Sequence, residues 1–282
     1  MCQFCHQHGE GKKWYLQAKN YSDDLLSDVR RRKFITEFAS DSDKLSKAVE
    51  GMEKLDKAPA FIAGIIRRLV TRKQKKIHFG QVIPIEDIEQ ILSFVNNVTR
   101  VACICRHMTL GKEKRYCYGF SVSPDGGSLA KLMDGLDNSF YKGPDVGAME
   151  TLGKAEALEA LRGHEKEGLC HTIWTFVTPF IGGVCNCDRA DCLAMRCTIT
   201  HRTPVMFRGE WVARVDADKC KGCRNCMRFC QFGALSYSAS NCKVVVDQTK
   251  CYGCGTCRAG CASDAITLLD RKAVPAVANL WE

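Results

Sequence analysis

The chain of 282 residues holds only seven prolines and 9% aromatic residues, and it has no long apolar run. No stretch reaches the ~18 consecutive apolar residues that a membrane-crossing helix requires, so a helical span is not expected. No basic opening followed by a short apolar core begins it, so export is not expected and the compartment expected is the cytoplasm. Its glycine groups never follow a strand and open a helix. A phosphate-binding loop and a dinucleotide fingerprint are therefore both missing, and with them any nucleotide, nicotinamide or flavin motif of the chain's own.

Cysteine is what the chain has in excess, 19 residues against an otherwise ordinary 45% hydrophobic and 26% charged content. Near the C-terminus one spacing occurs twice: Cys220, Cys223, Cys226 and Cys230, then Cys251, Cys254, Cys257 and Cys261, each C-x2-C-x2-C-x3-C. The second copy starts 31 residues after the first, and its surroundings repeat too. Val215-Asp216 is echoed by Val246-Asp247, Lys219 by Lys250, Gly222 by Gly253, and Gly233-Ala234-Leu235 by Asp264-Ala265-Ile266. Zinc knuckles leave a long gap between two cysteine pairs, and one tetrahedral ion cannot use four closely spaced thiols twice over. An odd cysteine total without an export leader argues against disulfides.

The segment from about Val215 to Leu269 resembles the bacterial two-cluster ferredoxin. The resemblance implies two [4Fe–4S] clusters with crossed ligation. Cys220, Cys223, Cys226 and Cys261 would hold one, and Cys251, Cys254, Cys257 and Cys230 the other. The family usually places proline after the fourth cysteine of each run, where this chain has Gln231 and Ala262. Each cluster with its thiolates adds roughly −2 to the protein. The formal charge of +9 thus becomes only mildly basic, which gives little support to nucleic-acid binding and leaves redox proteins as the expected partners.

Upstream, residues 20–58 read as helical, with Leu45, Ala48, Val49, Met52 and Leu55 at three-and-four spacing. A second helix is expected after Pro59. Phe61, Ile62, Ile65, Ile66, Leu69 and Val70 form its stripe, with Arg67, Arg68, Arg72 and Lys73 on the other side. Such a stripe ordinarily packs inward; contact with an anionic membrane surface is the minor alternative. Ile85 to Val95 is helical in period and Val101 to Cys105 reads as a strand. Lys154 to Glu167 then reads as a helix, Leu169 to Val177 as β-rich, and residues 121–150 as a long loop. The expected class is α+β: a helical region over 1–79, a cysteine-rich α/β domain over 80–214, and a small dicluster domain over 215–282.

The middle region carries Cys103, Cys105 and Cys117, then Cys185, Cys187, Cys192 and Cys197. On a strand, residues two apart face one side, so each C-x-C would present two sulfurs to one site. Cys103, Cys105, Cys185 and Cys187 are the simplest four-ligand set, with Cys117 and Cys192 as competitors. A third iron–sulfur cluster, a zinc ion and plain buried thiols all remain open. This stretch, with Cys103-Ile104-Cys105-Arg106, Gly168-Leu169-Cys170-His171 and Cys185-Asn186-Cys187, is similar to a module that precedes dicluster domains in ferredoxin-containing proteins of anaerobes. The resemblance implies a layout and no catalytic step. Cys170 and Cys242 read as structural, and His107, His171 and His201 as ordinary histidines. Cys2, Cys5, His6 and His8 crowd together near the start, and Cys2-Gln3-Phe4-Cys5-His6 matches the haem attachment signature, which the absence of a leader argues against. Zinc, a share in a cluster, or no ligand is left for them.

Two functions compete. The first is an electron-transfer protein or subunit that passes single electrons between partners such as a flavoprotein, since eight thiolates saturate two cubes. The second is a reductase or activating enzyme whose chemistry lies at an unusual middle cluster beside Arg106.

Overall fold

The computed structural model describes residues 13–40, 43–111, 113–136 and 141–281, and for 43–46 the backbone alone. The Cys2, Cys5, His6 and His8 group and the side chain of Leu45 lie outside the described residues. Helices and sheets are both present, an α+β fold.

Seven short strands form one sheet: β1 Gly80–Val82, β2 Asn97–Val101, β3 Cys117–Ser121, β4 Glu150–Leu152, β5 Cys170–Thr175, β6 Ile181–Cys187 and β7 Met206–Phe207. Their order is β4-β2-β3-β6-β5-β1-β7, and each pairing is antiparallel except β1 with β7. β5 is buried along its whole length, which suits its run Cys-His-Thr-Ile-Trp-Thr, a strand covered on both faces.

The helix Ile85–Phe94 turns Ile85, Ile88, Ile91 and Leu92 into the core, and Glu86 and Asp87 sit in its first turn, where the helix dipole favours them. Lys154–Lys166 buries Ala157, Leu161 and His164 alongside it. Trp14, Tyr15 and Tyr21 enter the same core from the N-terminal side and Trp281 from the other end. Trp281 stacks on Phe207 with ring centres 4.3 Å apart. Asp87, fully buried, ties these pieces together: it accepts from Tyr15 Oη at 2.5 Å and Trp211 Nε1 at 2.9 Å, and pairs with Lys13 Nζ at 3.3 Å.

Several sequence expectations need correction. Val101 to Cys105 is not one strand: β2 ends at Val101, and a helix runs Ile104–Leu110 with Cys103 just before it. The 121–150 stretch is not all loop, because Gly127–Asp134 is helical; Asp23 Oδ2 accepts from Ser128 N at its first turn. Residues 18–27 are tight 3-10 turns, and the α-helices are Val29–Ser40 and Asp43–Asp56.

The helix Ala60–Ile77 also turns the opposite way from expectation. Phe61, Ile65 and Leu69 are 71%, 54% and 58% exposed, while the small Ala63 and the polar Thr71 face inward. Arg67 folds in to Asp56 at 2.5 Å. The helix end fixes this rotation, since the carbonyls of Lys75, Lys76 and Ile77 accept from Thr178 Oγ1, Thr178 N and Val177 N. Among the described residues no helix is long and apolar enough to cross a membrane.

Beyond the large sheet lie two ribbons. β8 Trp211–Val215 pairs antiparallel with β11 Ile266–Asp270, and β9 Leu235–Ser238 with β10 Lys243–Val246. Each strand has its repeat partner 31 residues away, β8 with β10 and β9 with β11, so the two halves of the repeat interlock.

Asp87→Ala would leave three donors without their buried acceptor, and we expect it to lower unfolding stability by about 3 kcal/mol. Chemical denaturation of the intact, cluster-loaded chain measures this, and a change no larger than that of a surface substitution would remove Asp87 from its central position.

Candidate metal centres

In the C-terminal module the cysteine loops follow one backbone pattern twice. Positive φ angles occur at Gly222, Arg224 and Gly233, and 31 residues later at Gly253, Gly255 and Asp264. A Cβ on Gly222 would lie 2.2 Å from the carbonyl oxygen of Cys242, and one on Gly253 2.1 Å from that of Trp211, itself the repeat partner of Cys242. Both loops therefore wrap against an adjoining strand so closely that glycine is required. Arg224 holds the same left-handed conformation as Gly255 despite its side chain, and its guanidinium lies 4.3 Å from the Tyr237 ring centre.

Main-chain donors point at the sulfurs. Ala234 N donates to Cys230 Sγ at 3.2 Å and Ala265 N to Cys261 Sγ at 3.3 Å, the same bond in each repeat. Gly222 N donates to Cys220 Sγ at 3.5 Å and Ala213 N to Cys251 Sγ at 3.4 Å. Such donors stabilise thiolates and cluster sulfur.

The sulfurs fall into two neighbourhoods. Cys220, Cys223, Cys226 and Cys261 line one hollow together with Lys221 and Arg224. Burial pushes the Cys226 thiol up to about 11, and Cys261, Cys223 and Cys220 raise it further by charge. Burial likewise lifts Cys251 to about 11, with Cys254 and Cys230 among its charged neighbours. Cys257 is raised by burial and then by Cys254, Cys251 and Cys230. Four soft donors around a shared hollow, with main-chain N–H groups aimed at them, fit an iron–sulfur core that neutralises their charge.

The two neighbourhoods differ in exposure. Cys223 lies at the surface among exposed Lys219, Lys221, Arg224 and Arg228, whereas Cys254 and Cys257 are buried. Arg258 is not part of that exposed rim. It donates to Glu86 Oε2 at 2.8 Å and lies 3.9 Å from Glu165, joining the cysteine loop to the helix Ile85–Phe94. Gln231, in the family's proline position, makes a second clamp: its Nε2 donates to Gly168 O at 2.8 Å and its Oε1 accepts from Arg189 N at 2.9 Å. Proline makes neither bond. The structure offers no comparable reason for Ala262.

The middle cysteines meet at one end of the large sheet. Cys117 starts β3 opposite Val101, the last residue of β2, and its neighbour Tyr118 faces Val184 on β6. That register puts Cys117 beside Cys185. Cys185 and Cys187 sit two apart on β6 and face one side, as expected of a strand. Cys103 and Cys105 reach the group from the start of a helix instead, and Cys192 from the turn before the helix Leu193–Met195.

Side-chain hydrogen bonding to Cys105, then to Cys117, holds the Cys103 thiol well below its ordinary pKa. Cys105 is raised by Cys103 and Cys192, and Cys117 by Cys103 and Cys185. Cys187 and Cys192 are neighbours in turn. The six thiols thus form a string, Cys185-Cys117-Cys103-Cys105-Cys192-Cys187, in which one gives up its proton readily and its neighbours keep theirs. A tetrahedral zinc draws four sulfurs to ~2.3 Å from one point. Among the described residues no three His, Cys, Asp or Glu group closely enough for a single ion, in the ferredoxin loops as in this string. Cys197, on the wide turn Arg196–Thr200, stands outside the string, raised to about 11 by burial.

Arg106 is fully buried beside this string and committed to protein partners. It donates to Asn186 O at 2.8 Å, pairs with Asp188, and lies 3.3 Å from Glu113 and 3.7 Å from Cys103 Sγ. Burial alone would lower its pKa, but the Cys103 and Asp188 charges outweigh that and raise it. His171 lies on the other face of β5. Its Nδ1 is 2.7 Å from Asn186 Oδ1, and Asn186 Nδ2 donates to Tyr116 O at 2.7 Å.

Cys170, read from the sequence as structural, is fully buried and paired with Cys187 by the β5–β6 register. The Cys170 side chain first and Thr256 after it bring Cys254 down to about 7, against the opposing effect of burial. The signal was present in the alternation of β5, where Cys170 and Thr172 share the face of Cys187 and Cys185. Cys242 is exposed, as a residue without a site would be.

A family model described as a 4Fe-4S binding domain matches residues 213–236, which include Cys220, Cys223, Cys226 and Cys230. No curated protein matches the chain. The chain is thus an iron–sulfur protein with at least one 4Fe–4S binding domain near its C-terminus.

Burial pushes His78, His164 and His171 each down to about 4. An unfolded chain binds protons at these histidines from about pH 6.5 downward. Between those values the unfolded state carries more protons, so stability should fall as pH drops from 6.5 towards 4 and be fully regained above 6.5. Denaturant midpoints at pH 7.5 and 5, with iron assayed at both, test this; a midpoint that rises on acidification at constant iron refutes it.

Proposed function

We propose that the chain is an electron-transfer protein or subunit that carries single electrons between partner oxidoreductases, a flavoprotein among them, in the cytoplasm. In this reading, residues 215–282 form a dicluster ferredoxin domain beside a cysteine-rich domain over 80–214 and a helical region over 1–79. Cys220, Cys223, Cys226 and Cys261 hold one [4Fe–4S] cluster, and Cys251, Cys254, Cys257 and Cys230 the other. The observation that carries the reading is the shared hollow of Cys220, Cys223 and Cys226 with Cys261 from the other repeat. When bound, the clusters supply reversible one-electron storage. The protein orients the thiolates, aims N–H groups at them and keeps water from the inner set. We assign the six middle thiols to a further metal centre.

The rival reading, substrate chemistry beside Arg106, asks for a free cation at an open site. Arg106 has no exposed surface and its guanidinium is engaged with Asp188, Glu113 and Asn186. That observation favours electron transfer.

Anaerobic iron and sulfide analysis should return at least about eight irons per chain from the two ferredoxin sets. A smaller number in fully loaded protein would sink the dicluster assignment. The exposed rim around Cys223 should act in docking. Arg224→Glu with Arg228→Glu is expected to slow transfer with an acidic partner protein several-fold at low salt and much less at high salt, with iron content unchanged. Unchanged rates with shifted cluster potentials would show that these arginines only offset cluster charge.

A further inference from the structure

The structure packs the middle thiols against one ferredoxin loop and not the other. Cys170, Cys187, Cys192 and Cys254 are all buried in a single contiguous cluster with Trp174, Met206 and Tyr252, and Cys105 and Cys185 lie against it. Cys170 is the hinge of this contact. It is fully buried, its backbone pairs with Cys187 across the β5–β6 ladder, its thiol donates to His171 O at 3.7 Å, and it shares one packed cluster with Cys254. The ring of Phe232, just beyond the Cys230 loop, stacks on Tyr252 at 4.0 Å and closes the same contact from the ferredoxin side. The hydrogen bonds of Gln231 to Gly168 and Arg189 clamp this junction.

We propose that the middle thiols hold a third iron–sulfur cluster, wired in series to the cluster of Cys254 through Cys170; this rests on the metal-centre assignment above. The path then has three centres. Electrons arrive at the exposed Cys223 cluster, pass to the buried Cys254 cluster, and cross the Cys170 contact to the middle cluster. Each transfer moves one electron from a reduced cluster to an oxidised one, and no bond forms or breaks. Zinc in the same thiols would end the path, because zinc takes no electron.

The test uses the full chain purified without oxygen and reduced with dithionite. About twelve irons per chain are expected. Cys185→Ser with Cys187→Ser should lower this to about eight and leave the ferredoxin signals in EPR. In the unaltered protein, the reduced Cys254 cluster should show spin–spin broadening in excess of that caused by the neighbouring Cys223 cluster, and the double variant should remove only this excess. About eight irons with one zinc in the unaltered chain, or no loss of iron in the double variant, overturns the third cluster. Fewer than about eight irons in the double variant would instead count against the dicluster reading. Cys170→Ala tests the wire. It should keep all the iron yet slow equilibration between the middle and ferredoxin signals several-fold after flash reduction, read by freeze-quench EPR. Equilibration at the unaltered rate, with iron intact, removes Cys170 from the path.

Discussion

The register of the β5–β6 hairpin is the constraint on which the cysteine chemistry depends. Pairing Cys170 with Cys187 and Thr172 with Cys185 sets all four on one face of the sheet, and puts His171 and Asn186 on the other. Thr172 Oγ1 then lies 3.3 Å from Cys187 Sγ, and Trp174 Nε1 donates to Thr172 Oγ1 at 2.9 Å, so polar groups on this face serve the sulfurs. A slip of one residue would exchange the faces. It would bring His171 to the thiols, carry Cys170 away from Cys254, and leave two thiols among the aromatic rings of the main core. Few other positions in the chain carry so much of the arrangement.

The tandem repeat shows how near-identical halves acquire different roles. Strands, turns and sulfur-directed N–H bonds recur at an offset of 31, and β8–β11 and β9–β10 pairing binds the halves together. What differs is what each half faces. The first loop meets solvent and gathers exposed cations. The second meets the large sheet, where Arg258 turns from a surface charge into an ion pair with Glu86. Gln231 completes the asymmetry: its side chain carries a donor for Gly168 and an acceptor for Arg189, on segments flanking the β5–β6 hairpin. The module is attached through the very loop whose metal environment it must keep fixed.

The repeat could be read from sequence because cysteine spacing is local, and a tight loop places its own thiols. The helices at Ile85–Phe94 and Lys154–Lys166 were legible for the same reason, since their apolar period appears within a few turns. Phe61, Ile65 and Leu69 show where a pattern falls short. Their stripe is amphipathic, but the direction it faces is set by distant bonds from Val177 and Thr178 to the helix end, which no local period contains. Cys103-Ile104-Cys105 misled differently. Both C-x-C motifs look like strands, yet one lies where a strand gives way to a helix. The place of Cys170 beside Cys187 and Cys254 is set by a strand register and a long-range packing contact, which no local pattern contains.

Charge balance supplies the remaining argument about the middle site. Arg106 and Arg115 are the cations placed there, and they are already matched by Glu113, Asp188 and Asp191. Little positive charge is left for the six thiols, three of them buried and three half-buried, beyond the single contact of Arg106 with Cys103. The protein by itself can therefore support about one thiolate here, and the raised pKa of Cys105 and Cys117 expresses that limit. Several thiolates side by side in so dry a place require a cationic core bonded to the sulfurs themselves. Without such a core the neighbours of Cys103 keep their protons, as the isolated Cys197 does.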